Sequence, residues 1–163
     1  MLETKRYLVD RLTQADAPRL GEILGDSRVM EHLETPFSRE RVDWFLQEAA
    51  LCPIPMVYAV REKQGRLIGH VIFHLYDDSG AYEIGWVLDR AVWGQGCASE
   101  LTEALMAHAR EKEIPALVME FTIGRYPAFG GKIRFFLSGD GRRTGGLPKG
   151  TGLEIKRNEK KES

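Results

Sequence analysis

The chain has 163 residues, 43% of them apolar, and a formal net charge of −1; this fits one globular domain and gives no electrostatic footprint for nucleic acid or an anionic membrane. No apolar run reaches membrane-spanning length, and the N-terminus MLETKRYLVD lacks the shape of a signal peptide. The only cysteines, Cys52 and Cys97, show neither metal-ligand nor disulfide spacing, so the expectation is a cytoplasmic protein in reducing surroundings with no bound metal.

In chain order, YLVDRLT alternates, with Tyr7, Val9 and Arg11 on one face and Leu8, Asp10 and Leu12 on the other, and reads as a first strand. Thr13 and Asp16 have the spacing of a capping box, and Leu20, Ile23 and Leu24 behind them form one helical stripe. A second helix follows Pro36, with Ser38 as N-cap and Val42, Phe45, Leu46 and Ala49 on its apolar face, ending before Pro53. MVYAVREK and RLIGHVIFHLYD flank Gln64-Gly65 and predict a hairpin; Asp77 to Gly80 is a further turn, after which YEIGWVLD returns as a fourth strand. A glycine loop, WGQGCASE, then opens a helix on which Leu101, Ala104, Leu105, His108 and Ala109 keep the period. Pro115 stops that helix, and ALVMEF is a fifth strand. The order β-α-α-β-β-β-α-β predicts an α+β fold: a mixed, mostly antiparallel sheet flanked by helices, with one parallel step at the last crossover.

The loop is the chemically informative part. It is not a P-loop, since no Gly-Lys-[Ser/Thr] follows, and its strand sits in an antiparallel meander rather than opening a dinucleotide-binding unit. Successive N–H groups of Gln95, Gly96, Cys97, Ala98 and Ser99 can wrap a diphosphate, while the plainer reading is a strand-to-helix turn that the glycines only shape. Cys97 reads as a position filler rather than a nucleophile. His70 and His74 share one strand face, expected to be a half-exposed sheet surface without a third metal ligand. His108 is expected in the core stripe of its helix. Trp44 and Phe45 are candidates for core packing or for an acceptor pocket.

At Trp93-Gly94-Gln95-Gly96-Cys97-Ala98-Ser99-Glu100 the chain resembles the GCN5-related N-acetyltransferases. Their fold begins with the same element order, and the loop after their fourth strand carries Gln/Arg-x-x-Gly-x-Gly/Ala. Both glycines match, whereas the leading position is Ala91. The Trp-Gly-x-Gly-x-Ala-x-Glu form is similar to the branch that acetylates ribosomal-protein N-termini, as are Leu12-Thr13-x-x-Asp16-Ala17 and EIGWVLD. The resemblance spans roughly residues 4 to 121. It implies acetyl-CoA as co-substrate and an amine acceptor, either a protein N-terminus or a small molecule. The near-neutral charge adds the expectation of no nucleic-acid or membrane partner, and the chain is expected as a monomer or homodimer. In this pattern the diphosphate lies on Gln95 to Ser99, and the pantetheine arm and thioester carbonyl meet backbone N–H groups near Trp86, Val87 and Leu88. That strand is splayed at a bulge, which Gly85 would tolerate, and Glu83 stands where several family members place the base that deprotonates the amine. The rival readings are an acyl-CoA-binding module that has lost transfer, and an unrelated α+β binding domain.

Beyond residue 121 the pattern breaks. Residues 1–121, the acetyl-CoA-binding domain of this reading, carry 13 Lys/Arg against 20 Asp/Glu, whereas 122–163 carry 10 against 4 and hold 9 of the 17 glycines. The family's next helix, with its Glu-Lys-x-Gly-Phe ending, is absent, and Tyr126 is the one candidate for its tyrosine acid, in a context that does not match. Residues 122–163 thus form an atypical glycine-rich basic tail, expected to be poorly ordered and to leave the fifth strand with an open edge. Read one base downstream through permitted synonymous codons, Arg125 to Leu137 can give AIRRLAEKSGFSF, which contains the missing ending. A frameshift near residue 122 predicts that the coding DNA carries the codons this reading needs; codons that forbid it leave a divergent C-terminus as the explanation.

Overall fold

The computed structural model describes residues 2–123, 126–136 and 152–157, with side chains from 2 to 119. Its strands are β1 (Leu2–Glu3), β2 (Tyr7–Asp10), β3 (Val57–Glu62), β4 (Leu67–Leu75), β5 (Tyr82–Leu88), β6 (Ala116–Ile123), β7 (Tyr126–Phe136) and β8 (Gly152–Arg157). The helices are α1 (Ala17–Leu24), α2 (Ser27–Met30), α3 (Arg39–Phe45) and α4 (Cys97–Glu111). From β2 to β6 the predicted order holds, with α2 as an additional short helix. The chain forms two compact units, Met1–His74 with Gly85–Leu105, and Leu75–Ile84 with Met106–Ser163.

In the first unit β2 pairs antiparallel with β3 (Tyr7↔Glu62 to Asp10↔Ala59), and β3 with β4 (Val57↔Ile72 to Arg61↔Leu67). The capping box forms as the sequence predicts: the Thr13 N–H and hydroxyl both donate to Asp16 Oδ2, at 2.8 and 2.9 Å. Arg61 on β3 completes this corner. Its two terminal nitrogens grip Asp16 at 2.8 Å each, and its Nε donates to Asp10 at 3.0 Å. Burial works against the Asp16 carboxylate, but the bonds from Arg61 and Thr13 outweigh it and hold the group below its ordinary value. Helices α1 and α3, with the turn that follows α3, cover the sheet through Leu20, Ile23, Leu24, Val42 and Leu46, all buried. Each fully buried leucine contributes about 2 kcal/mol. A single π turn, Leu46–Ala50, prolongs α3, and the predicted end before Pro53 holds.

In the second unit the Asp77–Gly80 turn closes through the Ser79 N–H to Asp77 Oδ1 (2.9 Å), and Tyr76 N–H donates to the Ala81 carbonyl at 2.7 Å. The parallel step is present: Tyr82 pairs with Leu117 and Glu83 with Val118. The fifth predicted strand, β6, is paired along its length by β7 (Ala116↔Phe136 to Ile123↔Tyr126), and β7 by β8. The expected open edge is therefore corrected: the alternating apolar and basic residues of KIRFF have strand propensity that survives the neighbouring glycines. The rest of the predicted tail, 124–125, 137–151 and 158–163, lies outside the described residues.

Some side chains depart from expectation. His70 is buried, not on a half-exposed surface, because the α3 side chain Phe45 lies over it with ring centroids 5.3 Å apart. Phe45 also meets Phe37 edge-on at 5.8 Å, so it packs, whereas Trp44 is 62% exposed. His74 is half-buried, as expected of that strand face, whereas His108 is half-buried rather than a core residue. Burial lowers the His70 pKa to about 4, and its Nδ1 has no hydrogen-bond partner. The fold therefore favours neutral imidazole. As pH falls below about 6.5 the unfolded chain takes up a proton that the fold refuses until about 4. Stability should fall across that window by up to about 3 kcal/mol, and the His70→Leu variant should lose this slope in urea titrations run at several pH values.

Candidate active site

The chain leaves β5 at Asp89, and much of the site's geometry follows from that carboxylate. Asp89 Oδ1 accepts the Ala91 N–H at 2.9 Å, which starts a short 3-10 turn, Arg90–Val92. Its other oxygen is shared by Arg19 of α1 and by Arg66, the latter at 3.3 Å. Trp93 then turns its indole N–H back to the Leu88 carbonyl at 3.0 Å, and the Gln95 side chain donates to the Ala91 carbonyl at 2.8 Å. Gly94 and Gly96 follow with φ of 72° and 75°, left-handed conformations that make glycine the natural residue there. Helix α4 begins at Cys97, and its first ladder bond is the Glu100 N–H to the Gly96 carbonyl at 3.1 Å. The N–H groups of Cys97, Ala98 and Ser99 precede that ladder, where a helix presents donors and positive potential.

Arg6, just before β2, lies under the loop. Its Nε donates to Glu100 Oε2 at 2.7 Å, its own N–H to Glu100 Oε1 at 2.8 Å, and its Nη1 to the Gln95 carbonyl at 2.8 Å. Burial would raise the Glu100 pKa, but hydrogen bonds from Thr4 and Arg6 outweigh it and hold the carboxyl at about 2. Cys97 is buried beside Tyr7. Burial pushes its thiol above the ordinary value and carries the Tyr7 phenol, which shares a hydrogen bond with it, up to about 12. That is the environment of a packing residue rather than of a nucleophile.

A cleft of about 490 Å³ opens over these elements. The expected residues Trp86, Val87, Leu88, Gly96, Cys97, Ala98 and Ser99 all line it, and Val92, Trp93 and Gly94 complete that wall. The facing wall is Arg28, Val29, His32 and Leu33, at and just beyond α2. Sequence reasoning missed these last four; the Asp26 side chain that caps α2 by accepting the Arg28 N–H at 2.8 Å was the available signal. Gln95 is not among the lining residues, since its side chain turns away. Glu83 belongs to the second unit, half-buried on β5 and opposite Val118. A larger cleft, about 560 Å³, lies elsewhere in the first unit against Gln14, Ala17, Gly21, Phe37, Arg39 and Asp43. Its lining comes from helices and loops, with no strand backbone and no left-handed glycine among the residues, so size does not choose the site. Among the described residues no cluster of His, Cys, Asp or Glu could hold a metal ion, and no helix is long and apolar enough to cross a membrane.

β5 holds its place through a close backbone approach. A Cβ at Gly69 of β4 would meet the Val87 carbonyl oxygen at 2.2 Å and the Leu88 Cα at 2.9 Å. The Asp89 N–H donates to the Ile68 carbonyl at 2.7 Å. By the alternation of an extended strand, the N–H groups of Leu88 and Trp86 point away from β4. Gly85 also permits contact, with the Ile72 side chain 3.1 Å from where its Cβ would stand.

Residues 6–124 match the model of the acetyltransferase (GNAT) domain. The chain is 29% identical over 108 residues to the uncharacterised N-acetyltransferase YnaD of Bacillus subtilis, an alignment covering 66% of this chain and 64% of that protein. The match thus spans less than two thirds of the relative's length. Among solved structures, a GNAT-family acetyltransferase from Bacillus anthracis superposes with a TM-score of 0.69 at 25% identity, covering 77% of this chain and 76% of its own. A spermidine N-acetyltransferase of Vibrio cholerae, solved with CoA and spermine, shares the fold at 13% identity, with a TM-score of 0.61 over 71% of each chain.

The Gly69 contact generates a test of the site's scaffold. A Gly69→Ala change should force β5 away from β4 and lower stability by about 3 kcal/mol, read as a reduced urea midpoint. A midpoint equal to that of the parent protein would mean that the two strands are not held this close.

Proposed function

The chain belongs to the GNAT acetyltransferase family, and on that premise we propose that it transfers the acetyl group of acetyl-CoA to a primary amine. The observation that carries this reading is the meeting, in one cleft, of the β5 backbone from Trp86 to Leu88 with the donor groups from Gly96 to Ser99. The donor set fits such a ligand: apolar side chains of Val29, Leu33 and Val92 suit an extended arm, and a helix N-terminus entered through left-handed glycines suits a diphosphate. In this reading the N–H groups of Gly96, Cys97, Ala98 and Ser99, with the Gln95 peptide beside them, hold the phosphates. The outward N–H groups of Trp86 and Leu88, with Val87 between them, hold the arm and receive the thioester oxygen. The thioester supplies the acetyl carbon that the amine nitrogen attacks.

Glu83 is the proposed base. The acceptor arrives as an ammonium at neutral pH and must lose a proton before its lone pair can attack, and a carboxylate takes that proton directly or through water. The C–S bond then breaks, and the departing thiolate needs a proton in turn. The sequence supplies no well-matched tyrosine acid for it, and this favours a second reading in which the chain binds acyl-CoA without efficient transfer. The acceptor class is a small amine or a protein N-terminus, and the oligomer is a monomer or homodimer. In this reading cofactor capture is the work of residues 1–121.

Calorimetry with CoA should show saturable binding by the folded protein, and its absence would defeat both readings. Thiol release from acetyl-CoA with a panel of polyamines, amino acids and peptide N-termini then separates enzyme from binder. Glu83→Gln should lower kcat by about a hundredfold near neutral pH with little change in the KM for acetyl-CoA; an unaltered pH–rate profile would remove Glu83 from the mechanism.

A further inference from the structure

The acetyl-CoA reading uses the N–H groups of the loop but leaves Arg6 and Glu100 without a role. Glu100 stands in the first turn of α4, next to Ser99 on the cleft wall. A carboxylate there suits the helix dipole, yet it opposes any anion brought to the same helix end. Its pKa of about 2 keeps it charged at every working pH. Arg6 answers that opposition with its guanidinium and its own backbone N–H. It binds Glu100 through its Nε and its backbone N–H, at 2.7 and 2.8 Å, and takes the Gln95 carbonyl at 2.8 Å with Nη1. In a trans peptide the carbonyl and the following N–H point in opposite directions. A Gln95 carbonyl drawn toward Arg6 therefore sends the Gly96 N–H away from Arg6, and Gly96 lines the cleft. The Tyr7 ring, with its centroid 5.0 Å from the Arg6 guanidinium carbon, supports the arrangement from below.

We infer that Arg6 is a positioning residue for diphosphate binding: it masks the Glu100 carboxylate and fixes the Gln95–Gly96 peptide so that its N–H serves the cleft. Arg6 itself need not touch the ligand. The inference rests on the acetyl-CoA reading, and the experiment separates their failures.

The test measures CoA affinity by calorimetry for the parent protein, R6A and R6A/E100Q, each first shown to be folded by circular dichroism. R6A should weaken CoA binding about tenfold, the size of coupling usual within one charged network. Adding E100Q should restore part of that loss, because the unmasked charge has gone while the Gln95–Gly96 peptide stays without its anchor. A purely structural strut predicts the reverse, since the double variant removes a further anchor. Should R6A not fold, R6K and R6Q carry the comparison: charge masking expects R6K to bind several-fold more tightly than R6Q, and equal affinities overturn it. R6A binding as tightly as the parent, or a double variant no better than R6A, overturns the inference alone. Absence of CoA binding by the parent protein overturns the acetyl-CoA reading and this inference with it.

Discussion

Asp89 is the carboxylate on which the candidate site depends. A strand cannot simply run into a helix that projects donors over its end; the chain has to stop, turn and start again within a few residues. Asp89 does the stopping by accepting the Ala91 N–H, and it is held there by Arg19 from α1 and Arg66 from the β3–β4 turn. Arg19 also donates to the Leu67 carbonyl at 3.2 Å, so helix, hairpin turn and loop share one cationic anchor. Such a partly buried pair is favourable only when its remaining valences are satisfied, and here they are. The Trp93 indole and the Gln95 amide then return to carbonyls at Leu88 and Ala91, so the turn is fixed before the glycines begin.

The first unit repeats this device. Arg61 joins β2, β3 and the entry to α1 through Asp10 and Asp16, and Arg6 joins the entry to β2 with the start of α4. In each case an arginine, whose planar fork can serve several acceptors at once, ties a helix or its entry to the strands and loops beside it. The apolar core beneath supplies most of the stabilisation, and the arginines select the geometry. Their cost is desolvation, which the bidentate contacts of Arg61 on Asp16 offset.

Local signals were legible in the sequence. The Thr13–Asp16 box, the helical stripes, the Gln64-Gly65 hairpin and the strand–glycine–helix passage all rest on residues close together in the chain, and each has its counterpart in the structure. Long-range matters were not. Arg6 and Glu100 are 94 residues apart, and nothing in one sequence pairs them. His70 was misjudged because alternation tells which face a side chain takes, not whether a neighbouring helix covers that face. The wall from Arg28 to Leu33 was overlooked because α2, at four residues, is too short to show a period. The strands β7 and β8 lay in a stretch whose glycine content argued against regular structure, while the family pattern that would have placed them was broken.

The seating of Cys97 has a chemical consequence. A protein that handles a thioester within reach of its own thiol risks self-acylation, in which the acyl group moves to the cysteine and blocks the cleft. Here the sulfur is turned into the core against Tyr7 and kept protonated by burial, while the same residue still lines the cleft. In the acetyl-CoA reading, the backbone N–H of this position serves the ligand while its sulfur stays turned away from it.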